Sequence, residues 1–207
     1  MLQKKISLAC LFLFISFFAL AQNFDINMLR PINHNESNFK DNFFKVTSNS
    51  VIIVNIAAPA SILAAGLIKH DKQLQKDAAY LFGGFIASSI LTQGLKRITK
   101  RDRPFITYSD IIKKSDGGGY SFPSGHTTAA FCTATSLSLL FPKWYVIVPS
   151  YLYASAVGYG RMYQGVHYPT DVFAGAVVGA GGAWLAYKAE KWMNKKNNKK
   201  NTTPASL

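Results

Sequence analysis

Three short stretches of this chain carry side chains suited to anion chemistry. The first, "KRITKRDRPF", places Lys96 and Arg103 on either side of six residues that include Arg97, Lys100 and Arg101, with Pro104 directly after. The second, "YSFPSGHTTAAF", sets Pro123, Ser124, Gly125 and His126 at the mouth of an apolar run. The third, "GRMYQGVHYPTD", holds Arg161, His167 and Asp171. Lysine gives a compact positive charge, and arginine can hold two oxygens of one oxyanion. Histidine titrates near neutrality and serves as acid, base or nucleophile. Ser–Gly ahead of a helix offers a hydroxyl and unpaired backbone N–H groups, a favourable place for an anion. Taken singly, each stretch has a plainer meaning: a lipid-facing or solvated basic cluster, a helix cap with a packed histidine, a structural ion pair.

These residues need elements to hold them. The chain has 207 residues, 49% of them hydrophobic, enough for one domain with a single core. Residues 51–68, 78–95, 127–141, 144–159 and 172–187 are apolar runs without an internal charge. Their length and their alanine, leucine and glycine content predict helices rather than strands. Helices of a water-soluble bundle carry a charged stripe, whereas these are apolar or small on every face. The expected fold is therefore an all-α bundle of about five transmembrane helices, six if the N-terminal segment is retained as an anchor. The runs are short for spans and the mean hydropathy is only +0.09, so a soluble exported bundle stays open as an alternative.

The ends supply the address. "MLQKKISLACLFLFISFFALAQ" has a basic start, an apolar stretch and a small-x-small site at Ala19 to Ala21, so residues 1–21 are expected to be a signal peptide or an uncleaved anchor. Residues 22–50, polar and rich in asparagine, form an expected periplasmic segment of loops and short interfacial helices. The catalytic bundle is expected over 51–187, and 188–207 as a basic disordered tail. The formal charge of +13 owes much to that tail, a solvated extension rather than a nucleic-acid groove. Lysines between 69 and 76, Lys143 and the tail alternate with the motif-bearing loops. Because cytoplasmic loops collect lysine and arginine, the motifs are expected to face the periplasm from the inner membrane of a bacterial envelope. Cys10 lies in the export signal and Cys132 in an apolar run, so no intrachain disulfide is expected.

Taken together and in this order, Lys96-x6-Arg103-Pro104, Pro123-Ser124-Gly125-His126 and Arg161-x5-His167-x3-Asp171 resemble the three-part signature of the type 2 phosphatidic acid phosphatase superfamily, in its membrane lipid phosphate phosphatase branch. The resemblance implies a type 2 phosphatidic acid phosphatase-like helical bundle that hydrolyses a lipid phosphate ester such as phosphatidate, phosphatidylglycerophosphate, or undecaprenyl or lipid A phosphate. It implies His167 as the nucleophile that forms a phosphohistidine, Asp171 as the acceptor fixing its tautomer, and His126 as the acid and later the base. Lys96, Arg103, Ser124, Gly125 and Arg161 become the phosphate-binding set, charged and hydrogen-bonding groups aimed at the equatorial oxygens of the phosphoryl group. No metal or other cofactor is expected, the fixed cations taking that part. The implied partners are the membrane and a lipid phosphate, with no nucleic acid and no obligate protein. One departure stands out: Gly160 occupies the position where this motif usually has serine. Gly117 to Gly119 invite comparison with a hinge, and a plain flexible turn serves as well. Asp102 is expected to pair with a neighbouring base. A soluble periplasmic acid phosphatase, a vanadium-dependent haloperoxidase and a non-catalytic phospholipid-binding module remain alternatives.

Overall fold

A computed structural model describes residues 23–201, with side chains to 193. The expected signal sequence lies outside the described residues. Within them there are only helices and connections. After a helical segment at 23–33 come α1 (Asn38–Ile68), α2 (Lys72–Thr99), α3 (Pro104–Thr107), α4 (Gly125–Leu140), α5 (Trp144–Tyr163) and α6 (Pro169–Asn201).

Local chemistry sets several of these boundaries. Asp71 caps α2, its carboxylate accepting from the backbone of Gln73 at 2.8 Å and Leu74 at 3.2 Å. The same helix stops at Lys100, a left-handed residue with φ of 47°. Pro169 opens α6, where a missing N–H costs nothing, and Asp171 lies in its first turn. Two boundaries differ from expectation. α1 starts at Asn38 rather than near 51, because Phe44, Thr47 and Ser48 pack inward and extend the buried face beyond the apolar run. α6 runs on to Asn201, so the part of the expected disordered tail before 202 is helical. Lysine is a good helix former, and a helix already nucleated needs little more to propagate.

The core sits where α4 meets α5 and α1, and α6 and α2 pack against α4 as well. It is built from small residues: Val51, Ala129, Ala130, Ala134, Ala154 and Val157. A Cβ on Gly175 would approach the Ser124 carbonyl at 2.7 Å, and one on Gly179 would fall on the Thr128 carbonyl. These two glycines, one helical turn apart, let α6 lie directly against α4. Hydroxyls fill the rest, as Thr92 to Thr128 at 3.2 Å and Tyr80 to the Ala183 carbonyl at 2.9 Å. Large apolar side chains point the other way: Ile52 is 65% exposed, Ile90 68% and Phe173 72%. An apolar exterior around a small, hydroxyl-rich interior is the arrangement of a bundle solvated by lipid.

Among the described residues, the stretches Asn38–Ile68, Lys72–Thr107 and Pro169–Met193 contain the three helices long and apolar enough to cross a membrane. α4 and α5, expected as spans, do not meet that measure. α4 has 16 residues, which at a rise of about 1.5 Å reach roughly 24 Å, short of the ~30 Å hydrocarbon core. α5 has the length, but its tyrosines, Pro149 and Arg161 dilute its apolarity. The alternation of helix direction brings the starts of α1, α4 and α6 and the ends of α2 and α5 to one end of the bundle, and the lysines at 69–76 and 143 to the other.

Candidate active site

The three motifs meet at that first end around a cavity of about 370 Å³. Lys96 reaches it from the last turn of α2, Arg103 from the start of α3, Gly125 and His126 from the start of α4, Arg161 from the end of α5, and His167 from the loop before α6.

One wall is cationic. Arg103, 5% exposed, is gripped by backbone: Nε donates to the Gly119 carbonyl at 3.0 Å, one terminal nitrogen to Gly118 at 2.8 Å and the other to Val166 at 2.9 Å. The glycine run is thus a cradle for a guanidinium, and a Cβ on Gly117 would press on it at 3.0 Å. Lys96 donates to the Tyr120 carbonyl at 2.6 Å. Arg161 donates to the Gln164 side chain at 2.9 Å, the Ser115 hydroxyl at 3.3 Å and the Asp116 carbonyl at 3.1 Å, while its buried Nε has no partner among the described residues. Most partners of these cations are neutral oxygens. They fix the groups without cancelling their charge, which leaves a positive field for an anion.

Ser124 precedes α4 and is fully buried. It makes no side-chain cap; its hydroxyl accepts from Thr127 at 2.9 Å, which leaves its own proton free to be donated. Gly125 lines the cavity at a helix start whose first N–H groups have no intrahelical partner. Ser124 itself is not among the lining residues, so of the expected phosphate-binding set it alone sits behind the cavity wall.

The second wall carries His167 and Asp171, 2% and 0% exposed. Nδ1 of His167 lies 3.4 Å from the Asp171 carboxylate, and Nε2 lies 3.3 Å from an Arg103 nitrogen beside the cavity. Burial, only partly offset by Asp171, pushes the His167 pKa down to about 3, so the ring is neutral at physiological pH. His126 is also pushed down, to about 4, first by burial and then by Arg161, Arg103 and Lys96. Among the described residues no carboxylate pairs with it.

Several residues that hold this wall had no motif to announce them. Ser121 donates to Asp171 and sits 3.4 Å from His167 Nδ1. The backbone N–H of Tyr168 donates to the same carboxylate at 2.9 Å. Arg101 pairs with Asp171 at 2.8 Å and with Asp25 at 2.6 Å, its guanidinium lying 3.9 Å over the Tyr168 ring. Its position inside the basic cluster was visible; its partners were not. Arg97 and Lys100, from the same cluster, are exposed. Asp102, expected to pair with a neighbour, makes no ion pair among the described residues, and the distant Asp25 takes that part.

Gly160 faces Phe44, whose ring carbon would lie 2.9 Å from an added Cβ. The residue that replaces the usual serine is therefore where α1 closes on α5.

Comparison with known proteins follows the same outline. Residues 77–195 match the PAP2 superfamily, and the chain belongs to that family. It is 37% identical over 94 residues to a lipid A 4'-phosphatase of Bacteroides thetaiotaomicron, covering 45% of this chain and 42% of that protein. It is 33% identical over 130 residues to an undecaprenyl-diphosphatase of Sulfolobus acidocaldarius, covering 61% of this chain and 60% of the relative. The chain thus spans less than two thirds of the length of either. Among solved structures, LpxE of Aquifex aeolicus superposes with a TM-score of 0.70 at 28% identity, over 80% of this chain and 95% of that one.

Proposed function

We propose that this chain is a membrane phosphatase that cleaves a lipid phosphate ester through a phosphohistidine at His167. The observation that carries the reading is the division of labour in one cavity: three cations held by neutral partners, one histidine backed by a carboxylate, and another without one. Nε2 of neutral His167 attacks phosphorus, the bond to the leaving oxygen breaks, and His126 gives that oxygen its proton. Asp171 accepts from Nδ1 and stabilises the charge the ring acquires. His126 then takes a proton from water, whose oxygen attacks phosphorus, breaks the N–P bond and frees phosphate. Lys96, Arg103 and Arg161 bear the charge of the equatorial oxygens, with Ser124 and the N–H of Gly125 as further donors.

A lipid substrate is supported by the other side of the cavity, where Val51, Ile52, Phe85 and Ala129 continue the polar wall with an apolar one. Ile52 belongs both to this wall and to the exposed apolar face of α1, so a phosphate among the cations and an acyl chain against the bundle are compatible. Both curated relatives bear names of enzymes acting on lipid phosphates. The deciding experiment is phosphate release by the detergent-purified protein from lipid A, phosphatidate, phosphatidylglycerophosphate, undecaprenyl phosphate and undecaprenyl diphosphate, with chelator present and p-nitrophenyl phosphate as the soluble comparison. Release from at least one lipid, faster than from the soluble ester, is expected. No release from any of them overturns the reading.

The site is proposed to open to the periplasm, because the lysine-bearing turns collect at the opposite end. In a background without Cys10 and Cys132, Lys113→Cys is expected to react with an impermeant thiol reagent on spheroplasts, and Lys72→Cys only after lysis. The reverse pattern would place the site in the cytoplasm.

A further inference from the structure

We propose that Asp25 is a positioning residue for His167, acting through Arg101, so that the segment ahead of the bundle completes the nucleophile's support. Its consequence for turnover rests on the phosphatase reading above; its consequence for the geometry of His167 does not.

Asp25 lies in the helical segment at 23–33, ahead of the residues that match the family. It is 1% exposed, which for a carboxylate requires dedicated partners. It has three: a terminal nitrogen of Arg101 at 2.6 Å, the backbone N–H of Thr170 at 2.9 Å, and the Thr170 hydroxyl. The other terminal nitrogen of Arg101 donates to Thr170 at 2.7 Å and to Oδ1 of Asp171 at 2.8 Å. One guanidinium is thereby shared between two carboxylates. Oδ2 of Asp171 is left to Ser121, the Tyr168 N–H and the His167 ring.

The segment is fastened as firmly as its acid. Ile26 and Leu29 pack with Ile111 and Tyr168, and Phe105, Tyr108 and Met162 lie around them. Asn33 bonds the Ile112 carbonyl at 2.9 Å, the Ile112 N–H at 2.8 Å and the Tyr163 carbonyl at 3.0 Å. These contacts tie 23–33 to the loop before the glycine cradle and to the end of α5.

Asp25 fixes what Arg101 can do. A guanidinium prefers two parallel bonds to one carboxylate. Without Asp25, its second nitrogen is released to chelate Asp171, which turns Oδ2 away from His167 Nδ1 and concentrates a full positive charge beside the nucleophile. The ring then loses both its fixed tautomer and part of its nucleophilicity.

Asp25→Asn, Asp25→Glu, Arg101→Gln and the double variant Asp25→Asn/Arg101→Gln test this in the full chain. Asp25→Asn is expected to lower kcat about ten- to a hundredfold, the factor carried by one hydrogen bond between charged groups. KM should change little, because the cations that meet phosphate are intact. Asp25→Glu should recover part of the loss, and the double variant should cost no more than Arg101→Gln alone. A second readout needs no turnover: with 15N-labelled histidine, and His167 assigned from His167→Ala, the His167 resonances should show the Nδ1–H tautomer in the starting protein and a mixture in Asp25→Asn. Wild-type kcat in Asp25→Asn, an additive double variant, or a lower kcat with an unchanged His167 tautomer each overturns the proposal. If the starting protein cleaves no lipid phosphate, the phosphatase reading fails, and the tautomer comparison still decides this inference.

Discussion

The two walls of the cavity are built on opposite rules. On the cationic wall, Lys96, Arg103 and Arg161 are held chiefly by carbonyl and amide oxygens, and their charges stay uncompensated. On the histidine wall, every charge is answered: Asp171 by Arg101, Ser121 and a backbone N–H, and Arg101 in turn by Asp25. An uncompensated field binds an anion, whereas a compensated network holds a ring in one orientation without drawing the anion to itself. The histidines follow this division. His167 has a carboxylate behind it, whereas the charges that act on His126 are those of Arg161, Arg103 and Lys96, so the same side chain is set up for two tasks.

The strongest way to break the comparison is to exchange the two histidines' fates. His167→Ala is expected to lower kcat by roughly a thousandfold or more while the helical content, read by circular dichroism, is unchanged, since His167 is the lining histidine that has a carboxylate behind it. His126→Ala should cost less on a lipid ester, roughly a hundredfold, the usual share of a general acid. On p-nitrophenyl phosphate, whose leaving group needs little protonation, the His126 loss should shrink and the His167 loss should not. Equal losses on both substrates for both variants would erase the distinction between the walls.

The sequence showed one wall better than the other, for a physical reason. Lys96, Arg103, His126, Arg161 and His167 sit in short local patterns, and alternation of the apolar runs was enough to put them at one end. The support of His167 is non-local: Asp25 is far from Arg101 in sequence and belongs to a segment without periodicity, so nothing local announced it. Gly118 and Gly119 suggested mobility because glycine is permissive, yet their carbonyls are what the Arg103 side chain needs to approach. The helical interior was legible in its composition. The start of α1 at Asn38 was not, because Thr47 and Ser48 are polar by type but buried by packing, Ser48 donating to the Gln164 side chain at 3.1 Å.

A titration sharpens the comparison at intermediate effect. His126 is held near 4 by burial and by the three cations, and an acid must carry its proton. An anion seated among those cations offsets their repulsion, so the His126 pKa should rise toward the ordinary 6.5 when orthovanadate binds, and kcat should fall as pH increases past that bound-state value. His167, backed by Asp171, should stay neutral until pH approaches about 3, and its ring resonances should show no titration between pH 5 and 8, a window above that value. A His126 resonance that does not move with vanadate would show that the cations do not set its acidity.

The smallest effect is expected where the cationic wall meets α1. Gly160 stands in a position where the motif usually has serine, next to Arg161, and a Cβ there would come within 2.9 Å of one Phe44 ring carbon and 3.3 Å of the Phe44 Cβ. Phe44 cannot simply swing away, because its ring packs on Tyr159 at 5.4 Å and on Tyr163 at 5.0 Å between centroids. Gly160→Ser should therefore separate α1 from α5 slightly, cost about 1–3 kcal/mol as overpacking does, and lower the Tm in detergent by a few degrees, with kcat reduced only a few-fold. Trimming the obstacle should remove the penalty. In a Phe44→Ala background the same serine has room, so it should be tolerated without further loss of Tm, and its hydroxyl becomes available beside Arg161. If Gly160→Ser is as costly with Phe44 removed as with it present, the glycine is not there to admit α1, and its place at the edge of the cationic wall has another cause.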